Sequence, residues 1–275
     1  LKMDEFIFMM YLYNIGNNSI FDVSRYSNDL DIKDKDIMKI ISVLVDKGYL
    51  KIDSVKNDKN VREEIINING FYDKLSFIIM DKKEIVSFFD SCAESWDTDM
   101  LKVQWKIDKI LDIAGITEGK TVLDVACGTG VLIPDYVNRK VSRCVGVDIS
   151  RNMIEIASDK FKECDNISFV CADAECFDFG EMFDCAVIYN AFPHFVNRTN
   201  LFENILKHLN ENGRITVAHG MSRDALIKHH SGRAEKVSSI LPEADELAKI
   251  MESYFEVDTK ISTDEIYIVS GKKRI

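Results

Sequence analysis

The sequence predicts an α/β fold: a doubly wound, mostly parallel sheet in residues 81–275, with a smaller α+β domain in residues 1–80. From about residue 120, strand-like and helix-like patterns alternate along the chain. The strand patterns are near-continuous apolar runs, which are typical of a parallel sheet covered by helices on both faces. The tail "FEVDTKISTDEIYIVSGKKR" contains two successive strand patterns, which predict an antiparallel hairpin at the sheet edge.

The first eighty residues show three helical patterns followed by two strands. The helices are predicted over about 4–14, within "SIFDVSRYSNDL", and over 33–47, where Gly48 follows as the stop. Over about residues 3–70 this order resembles a winged helix-turn-helix domain, which implies either DNA binding or a dimerisation or cover role. Residues 1–80 hold 11 basic and 13 acidic side chains. A helix that enters the major groove normally carries positive charge, so we favour dimerisation or cover.

A helical connector is predicted over residues 81–119, ahead of the alternating elements. The expected strands are "TVLDVAC", "SRCVGVDI", "ISFVCAD", "FDCAVIYN" and "RITVAH", and the expected helices between them are "VLIPDYVNR", "RNMIEIASDKFK" and "TNLFENILKHLN". Because ligands bind at the carboxyl ends of the strands in such sheets, the residues that follow each strand are the site candidates.

Composition limits the possible classes of protein. The 275-residue chain is 46% hydrophobic and 29% charged, as is usual for globular proteins, and it carries a net charge of −11. That charge disfavours a protein built mainly to coat nucleic acid or an anionic membrane. The seven cysteines lack paired spacing, and the opening "LKMDEF" lacks the basic region of a signal peptide. We therefore expect a cytoplasmic protein with reduced thiols and no membrane association.

The stretch "VLDVACGTGVL" joins a strand to a glycine loop. A phosphate-binding P-loop needs Lys and Ser or Thr after its last glycine, but Val131 and Leu132 follow Gly130. A dinucleotide site needs a small residue at the position of Ile133, so it is disfavoured. The acid Asp124 within the strand would repel a pyrophosphate and suits a positively charged ligand.

Two further acids follow the next strands. Asp148 ends "VGVD", where a carboxylate can accept both ribose hydroxyls, and Asp173 in "VCADAECF" can accept from an adenine amine. An amino-acid portion at Asp124, a ribose and an adenine together describe S-adenosylmethionine.

As an ordered set, "VLDVACGTG", "VGVDIS", "CADAECF" and "FDCAVIYNAFPHF" resemble the class I S-adenosylmethionine-dependent methyltransferases, over about residues 88–275. The resemblance implies a seven-stranded Rossmann-like sheet whose last strand is antiparallel. By matching positions, the resemblance assigns the methionine part to Asp124, Ala126, Cys127, Gly128 and Gly130. It assigns the ribose to Asp148, the faces of the adenine to Ile149 and Met153, and the adenine edge to Asp173 and Ala174. Asn190 would reach the methionine amino group or the acceptor. Ala126 stands where many members have the first glycine.

Ahead of the first strand, "FFDSCAESWD" resembles the helix that covers the cofactor in small-molecule methyltransferases of the quinone-biosynthesis type. The resemblance places Phe89 and Trp96 over the cofactor, although core aromatics at helical spacing would show the same pattern.

All five histidines lie between residues 194 and 230. His194 and His219 follow strands and are expected at the mouth of the crevice, where either could act as a general base, with His229 or His230 assisting. His208 ends a helix and is expected to face solvent or favour the helix dipole. Zinc would need three or four convergent ligands, and only His229 and His230 are adjacent, so no metal site is predicted.

These observations predict a methyltransferase that uses S-adenosylmethionine on a small-molecule acceptor and forms a homodimer through its N-terminal domain. The alternative is a DNA-binding regulator that senses S-adenosylmethionine or another metabolite. A nucleic-acid methyltransferase is disfavoured by the acidic balance and because "NAFPHF" lacks a Pro-Pro-Tyr-like cluster.

Overall fold

The computed structural model describes residues 8, 12, 19–46, 50–56, 62–68, 82–99, 102–230, 234 and 237–274. The chain forms two compact units, Leu1–Leu75 and Ser76–Ile275. Element labels below number the helices and strands whose bounds the structure gives. None of the helices in this described part has the length and apolar character needed to span a bilayer.

The N-terminal unit contains β1 (Ser19–Ile20), α1 (Val23–Leu30), α2 (Asp34–Asp46), β2 (Leu50–Lys56) and β3 (Arg62–Ile68). Its three strands pair antiparallel in the order β1-β3-β2. The predicted third helix and strand pair are confirmed. Ser19 and Ile20 were expected in a helical stretch but form a strand, because they pair with Ile66 and Ile65.

The helices of this unit follow from local sequence. Asp22 accepts a hydrogen bond from the Arg25 N–H and thereby caps α1. Ile37, Ile41 and Leu44 recur at helical spacing and are buried on one face of α2. In the predicted first helix, the described residues 8 and 12 are helical and the others lie outside the described residues, as does Gly48.

The C-terminal unit begins with helices and continues with the alternating elements. Its helices are α3 (Lys82–Cys92), α4 (Trp96–Asp99), α5 (Gln104–Ile113), α6 (Ile133–Asn138), α7 (Arg151–Lys160), α8 (Arg198–Lys207), α9 (Arg223–His230) and α10 (Ala244–Met251), with short 3-10 helices at Ala93–Ser95 and Phe192–His194. Its strands are β4 (Thr121–Val125), β5 (Arg143–Asp148), β6 (Ile167–Cys171), β7 (Phe183–Tyr189), β8 (Leu209–His219), β9 (Phe255–Ser262) and β10 (Tyr267–Lys273).

These strands form one seven-stranded sheet in the order β6-β5-β4-β7-β8-β10-β9. Neighbours from β6 to β8 are parallel, whereas β10 runs antiparallel to both β8 and β9. The doubly wound sheet and the antiparallel final strand are therefore confirmed. Strand order reverses between β4 and β7, and such a switch point opens a crevice at the carboxyl ends of the strands.

Helices cover both faces of the sheet. Ile188 on β7 is buried in a core with Phe202 of α8, whereas its neighbour Val187 is buried in a second core with Leu111 of α5. Successive side chains of a strand point to opposite faces, so burial of both neighbours requires cover on both sides. This explains the near-continuous apolar strand sequences.

Candidate functional site

A cavity lies at the carboxyl ends of β4 to β7, and it brings together the predicted cofactor residues except Gly130. Those that line it are Trp96, Asp124, Ala126, Cys127, Gly128, Asp148, Ile149, Met153, Asp173, Ala174 and Asn190. Lys82, Phe89, Glu175, Tyr189 and His194 are among the other lining residues. The segments that follow four separate strands thus line the same cavity.

The glycine loop turns sharply after β4. Ala126, Gly128 and Gly130 have φ values of 57°, 55° and 84°, in the left-handed region. A Cβ on Gly128 would lie 3.4 Å from Nε1 of Trp96, so the bare backbone leaves room at the cavity wall. A Cβ on Gly130 would lie 2.5 Å from Cε2 of Phe161, which shows that this glycine serves packing behind the loop.

Asp124 is buried in β4 with only 2% of its surface exposed. Its Oδ2 atom has no hydrogen-bond partner within the described residues. Burial raises the pKa of this carboxyl to about 8; interaction with the Tyr136 hydroxyl lowers it in part, and the nearby charge of Asp148 raises it further. A buried carboxylate that faces a cavity is suited to a cationic ligand, which would stabilise its charged form.

Asp148 supports the loop from the end of β5. Its Oδ2 accepts the Gly128 N–H at 2.9 Å, and its Oδ1 accepts the Ser150 N–H at 2.9 Å. Burial nevertheless raises its pKa. Each carboxylate oxygen can accept a second hydrogen bond, so the side chain can still bind ligand hydroxyls.

Asp173 has a partner that the sequence did not reveal. Lys82, the first residue of α3, forms ion pairs with both Asp173 and Glu175. The Glu175 N–H also donates to Oδ1 of Asp173 at 3.0 Å. Lys82 lies 91 positions from Asp173, and no spacing rule links such distant residues. Glu175 lies within the motif "CADAECF", so its position offered a signal, whereas Lys82 offered none.

We call residues 82–99, which span α3, Ala93–Ser95 and α4, the lid. Phe89 and Trp96 of the lid both line the cavity, with their ring centroids 5.7 Å apart. Asp97 Oδ1 accepts the hydroxyl of Thr129 at 2.6 Å, so the lid is tied directly to the glycine loop.

Among the histidines whose side chains the structure describes, His194 is the one that lines the cavity. Its Nδ1 lies 2.8 Å from the Val237 carbonyl, which can only accept, so Nδ1 carries the proton and Nε2 is the basic nitrogen. Burial lowers the pKa of His194 to about 4. Its ring packs edge-on against Phe89 at 4.9 Å.

Of the other histidines, His219 differs from expectation, and His208 lies at the end of α8 as expected but is buried. His219 is fully buried, does not line the cavity, and packs 6.0 Å from the ring of Tyr267, so its predicted place at the crevice mouth is wrong. His208 is also buried: Nδ1 lies 2.8 Å from the Asn204 carbonyl and Nε2 lies 3.0 Å from Asp178. The backbones of His229 and His230 end α9, but their side chains lie outside the described set. Across the described ranges, no three His, Cys, Asp or Glu side chains are grouped to hold a metal.

Family models match both units of the chain. Residues 122–213 match a family described as a methyltransferase domain, and residues 1–86 match the DnaD N-terminal domain. The first match runs from β4 to β8 and includes the glycine loop, Asp148 and Asp173.

Two curated relatives and one solved structure that are similar to this chain are also named as methyltransferases. The chain is 30% identical to the malonyl-[acyl-carrier protein] O-methyltransferase of Acetivibrio thermocellus, over 49% of this chain and 48% of that one. It is 31% identical to the ubiquinone/menaquinone biosynthesis C-methyltransferase UbiE of Pseudomonas paraeruginosa, over 49% and 57%. The chain thus spans about half the length of these relatives.

The solved structure is the magnesium protoporphyrin IX methyltransferase ChlM of Synechocystis PCC 6803 with bound SAH. It is 18% identical, covers 70% of this chain and 100% of its own, and superposes with a TM-score of 0.55. This likeness shows a shared fold. The family match over residues 122–213 and the strand order, together with this shared fold, support a class I S-adenosylmethionine-dependent methyltransferase domain in the C-terminal unit.

Proposed function

We propose that this protein transfers a methyl group from S-adenosylmethionine to a small-molecule acceptor. The observation that carries the proposal is the single cavity in which Asp124, the glycine loop, Asp148 and the lid aromatics meet. When bound, S-adenosylmethionine supplies a methyl group on a positively charged sulfur. Catalysis then depends on how the protein holds the acceptor in line with that methyl group.

The residues present fit the cofactor. Oδ2 of Asp124 has no hydrogen-bond partner among the described residues and would accept from the methionine ammonium. Asp148 would bind the ribose hydroxyls, and Ile149 and Met153 would flank the adenine. Ala174 would meet the adenine edge, while Asp173 would reach it only in competition with Lys82. Asn190 would assist near the methionine part or the acceptor, although its Oδ1 already accepts the Gly220 N–H.

His194 is our candidate for the group that receives the acceptor's proton. Because its pKa is about 4, the ring is neutral at physiological pH and Nε2 can accept a hydrogen bond. A base this weak suits an acceptor whose own proton is acidic, or acts chiefly by orienting it. His229 remains a proposed assistant, whereas His219 does not line the cavity.

The histidine proposal is tested with His194→Asn, whose amide can still donate to the Val237 carbonyl but has no basic nitrogen. We expect kcat to fall by about 10²- to 10⁴-fold with the KM for S-adenosylmethionine little changed. In the wild type, kcat/KM should fall as the pH drops through about 4, because protonation removes the acceptor nitrogen. An unchanged kcat in the variant would contradict the role of His194.

The acceptor class is tested by incubating the protein with radiolabelled S-adenosylmethionine and a cell extract. We expect the label to enter the small-molecule fraction. Label that enters only nucleic acid or protein would contradict the proposal. Whether oxygen, carbon or another atom is methylated is open to the same assay, since the two relatives are named as O- and C-methyltransferases.

For the N-terminal unit we propose a role in homodimerisation or in covering the active site. Exposed apolar side chains on α2 and β2 support it, namely Met38, Val45 and Ile52. We also propose a cytoplasmic location and no nucleic-acid partner, supported by seven cysteines that form no disulfide and by the net charge of −11.

A further inference from the structure

The lid makes polar contacts with the rest of the C-terminal unit through Asp90, Asp97 and Lys82. Asp90 accepts from the Ser150 hydroxyl at 2.6 Å and the Asn152 N–H at 3.1 Å, near the start of α7. Asp97 accepts from Thr129 in the glycine loop and from Lys160 at the end of α7. At the other end of the lid, Lys82 forms the third attachment.

The Lys82 attachment differs because its partners lie in the segment that follows β6. Both Asp173 and Glu175 line the cavity, as does Lys82 itself. The middle and end of the lid are held at α7 and the glycine loop, whereas Lys82 joins the first residue of α3 to the wall expected to meet the adenine edge. Release of this contact would leave that end of the lid held by apolar packing, chiefly that of the buried Ile85 against Val237.

Glu175 is a firm attachment point. Its side chain is only 3% exposed, and its Oε1 accepts the Asn197 N–H at 2.8 Å, at the start of α8. Asp173 is 25% exposed and Lys82 is 39% exposed, so water reaches the lysine side of the contact. The fixed carboxylates and the accessible ammonium make a contact that can open without unfolding α8.

We propose that Lys82 is a positioning residue that latches the lid over the adenine end of the cofactor site and sets the rate at which the cofactor product leaves. The proposal rests on the cofactor site of the proposed function. Partial burial alone would lower the pKa of Lys82, but its hydrogen bonds to Asp173 and Glu175 raise it, so the latch stays charged at working pH.

The experiment measures dissociation of S-adenosylhomocysteine by stopped-flow fluorescence. The chain has two tryptophans, Trp96 in the cavity wall and Trp105, which is 51% exposed. A Trp105→Phe background leaves Trp96 as the sole tryptophan reporter. In that background we expect Lys82→Met to speed dissociation about five- to tenfold, because charge-assisted hydrogen bonds on a half-exposed group are lost.

Matched variants separate a latch from a general defect. Glu84→Gln removes an exposed charge two positions along the same helix and should leave the rate within twofold. Lys82→Arg should restore slow dissociation, and Glu175→Gln should speed it while retaining an acceptor for the Asn197 N–H. Added salt should speed dissociation from the wild type more than from Lys82→Met, because salt screens a half-exposed ion pair.

Equal rates and equal salt dependence in wild type and Lys82→Met would overturn the latch, as would equal acceleration by Glu84→Gln. If Lys82→Met does not fold, the Glu175→Gln rate decides the question by the same criteria. Wild-type protein that shows no Trp96 response and no calorimetric binding of S-adenosylhomocysteine would overturn the cofactor site itself. Binding without methyl transfer would contradict only the proposed function.

Discussion

The ligand-free fold favours the protonated form of the Asp124 carboxyl group, whereas a cationic ligand would favour its charged form. In the ligand-free fold its pKa is about 8, against an ordinary value of 3.8. The folded state therefore keeps a proton that the unfolded chain has released. The stability that this group contributes is complete below pH 3.8 and is lost progressively as the pH rises to about 8. A cationic ligand would reverse this preference by stabilising the carboxylate.

We predict that Asp124→Asn raises the thermal unfolding midpoint of the ligand-free protein, and that this advantage grows between pH 5 and pH 8. The same variant should bind S-adenosylhomocysteine about 10- to 100-fold more weakly, because a charge-assisted hydrogen bond is lost. Scanning calorimetry at the two pH values and titration calorimetry measure the two effects.

The control for this prediction is Asp184→Asn, at the opposite end of the strands. Partial burial alone would raise the pKa of Asp184, but hydrogen bonds from Thr121 and Asn210 lower it. Its stabilisation is therefore present throughout pH 5 to 8, and the variant should lower the midpoint at both values. An Asp124→Asn midpoint that falls at both pH values, like that of the control, would show that Asp124 is not a strained buried acid.

Gly130 and Gly119 share a left-handed backbone but differ in their surroundings. Their φ values are 84° and 82°, and a Cβ would meet Phe161 at 2.5 Å in the first case and nothing within 4 Å in the second. Gly119→Ala should cost about 1–2 kcal/mol from the backbone alone. Gly130→Ala should cost a further 1–3 kcal/mol or so from overpacking. Urea unfolding measures both, and equal costs would contradict the packing role of Gly130.

At the scale of elements, the ends of β4, β5 and β6 could be predicted from sequence because each combines an apolar run with a polar residue at its exit. Asp124, Asp148 and Asp173 could therefore be placed beside one crevice from the order of the strands alone. The ion pairs of Asp173 could not, since they depend on where a helix 91 residues earlier comes to lie.

The burial of His219 shows the limit of the same rule. His219 ends β8, but β10 begins beside it, with Tyr267 directly paired to His219. The antiparallel neighbour thus begins at the level of His219, where the ring of Tyr267 packs near it. His194 lies instead in the short 3-10 helix after β7, next to the switch point, and so reaches the cavity.

At the scale of the molecule, the two units have separate cores, and the sequence placed their boundary at residue 80 where the structure divides the chain after Leu75. The winged-helix resemblance of the first unit stays a prediction. The sequence could not show which apolar side chains of that unit are exposed. Met38 and Val45, seven residues apart on one face of α2, are 47% and 38% exposed.

We predict that this face of α2 contributes to a homodimer. The double variant Met38→Asp/Val45→Asp should shift the mass measured by light scattering from dimer to monomer, because charged groups are costly to bury in an interface. The control is Val137→Asp, which alters a 41% exposed apolar side chain of the C-terminal unit. A monomeric wild type, or dissociation by the control, would contradict the prediction.

The acidic lining of the cavity has a consequence for turnover. Among the described residues that line it, Asp124, Asp148, Asp173 and Glu175 face one lysine, Lys82, which is already committed to two of them. Methyl transfer converts a sulfonium into a neutral thioether, so the ligand loses one positive charge at the moment of reaction. The acidic side chains therefore attract the neutral thioether product less strongly than the sulfonium donor. The electrostatics of the cavity thus favour exchange of product for fresh donor.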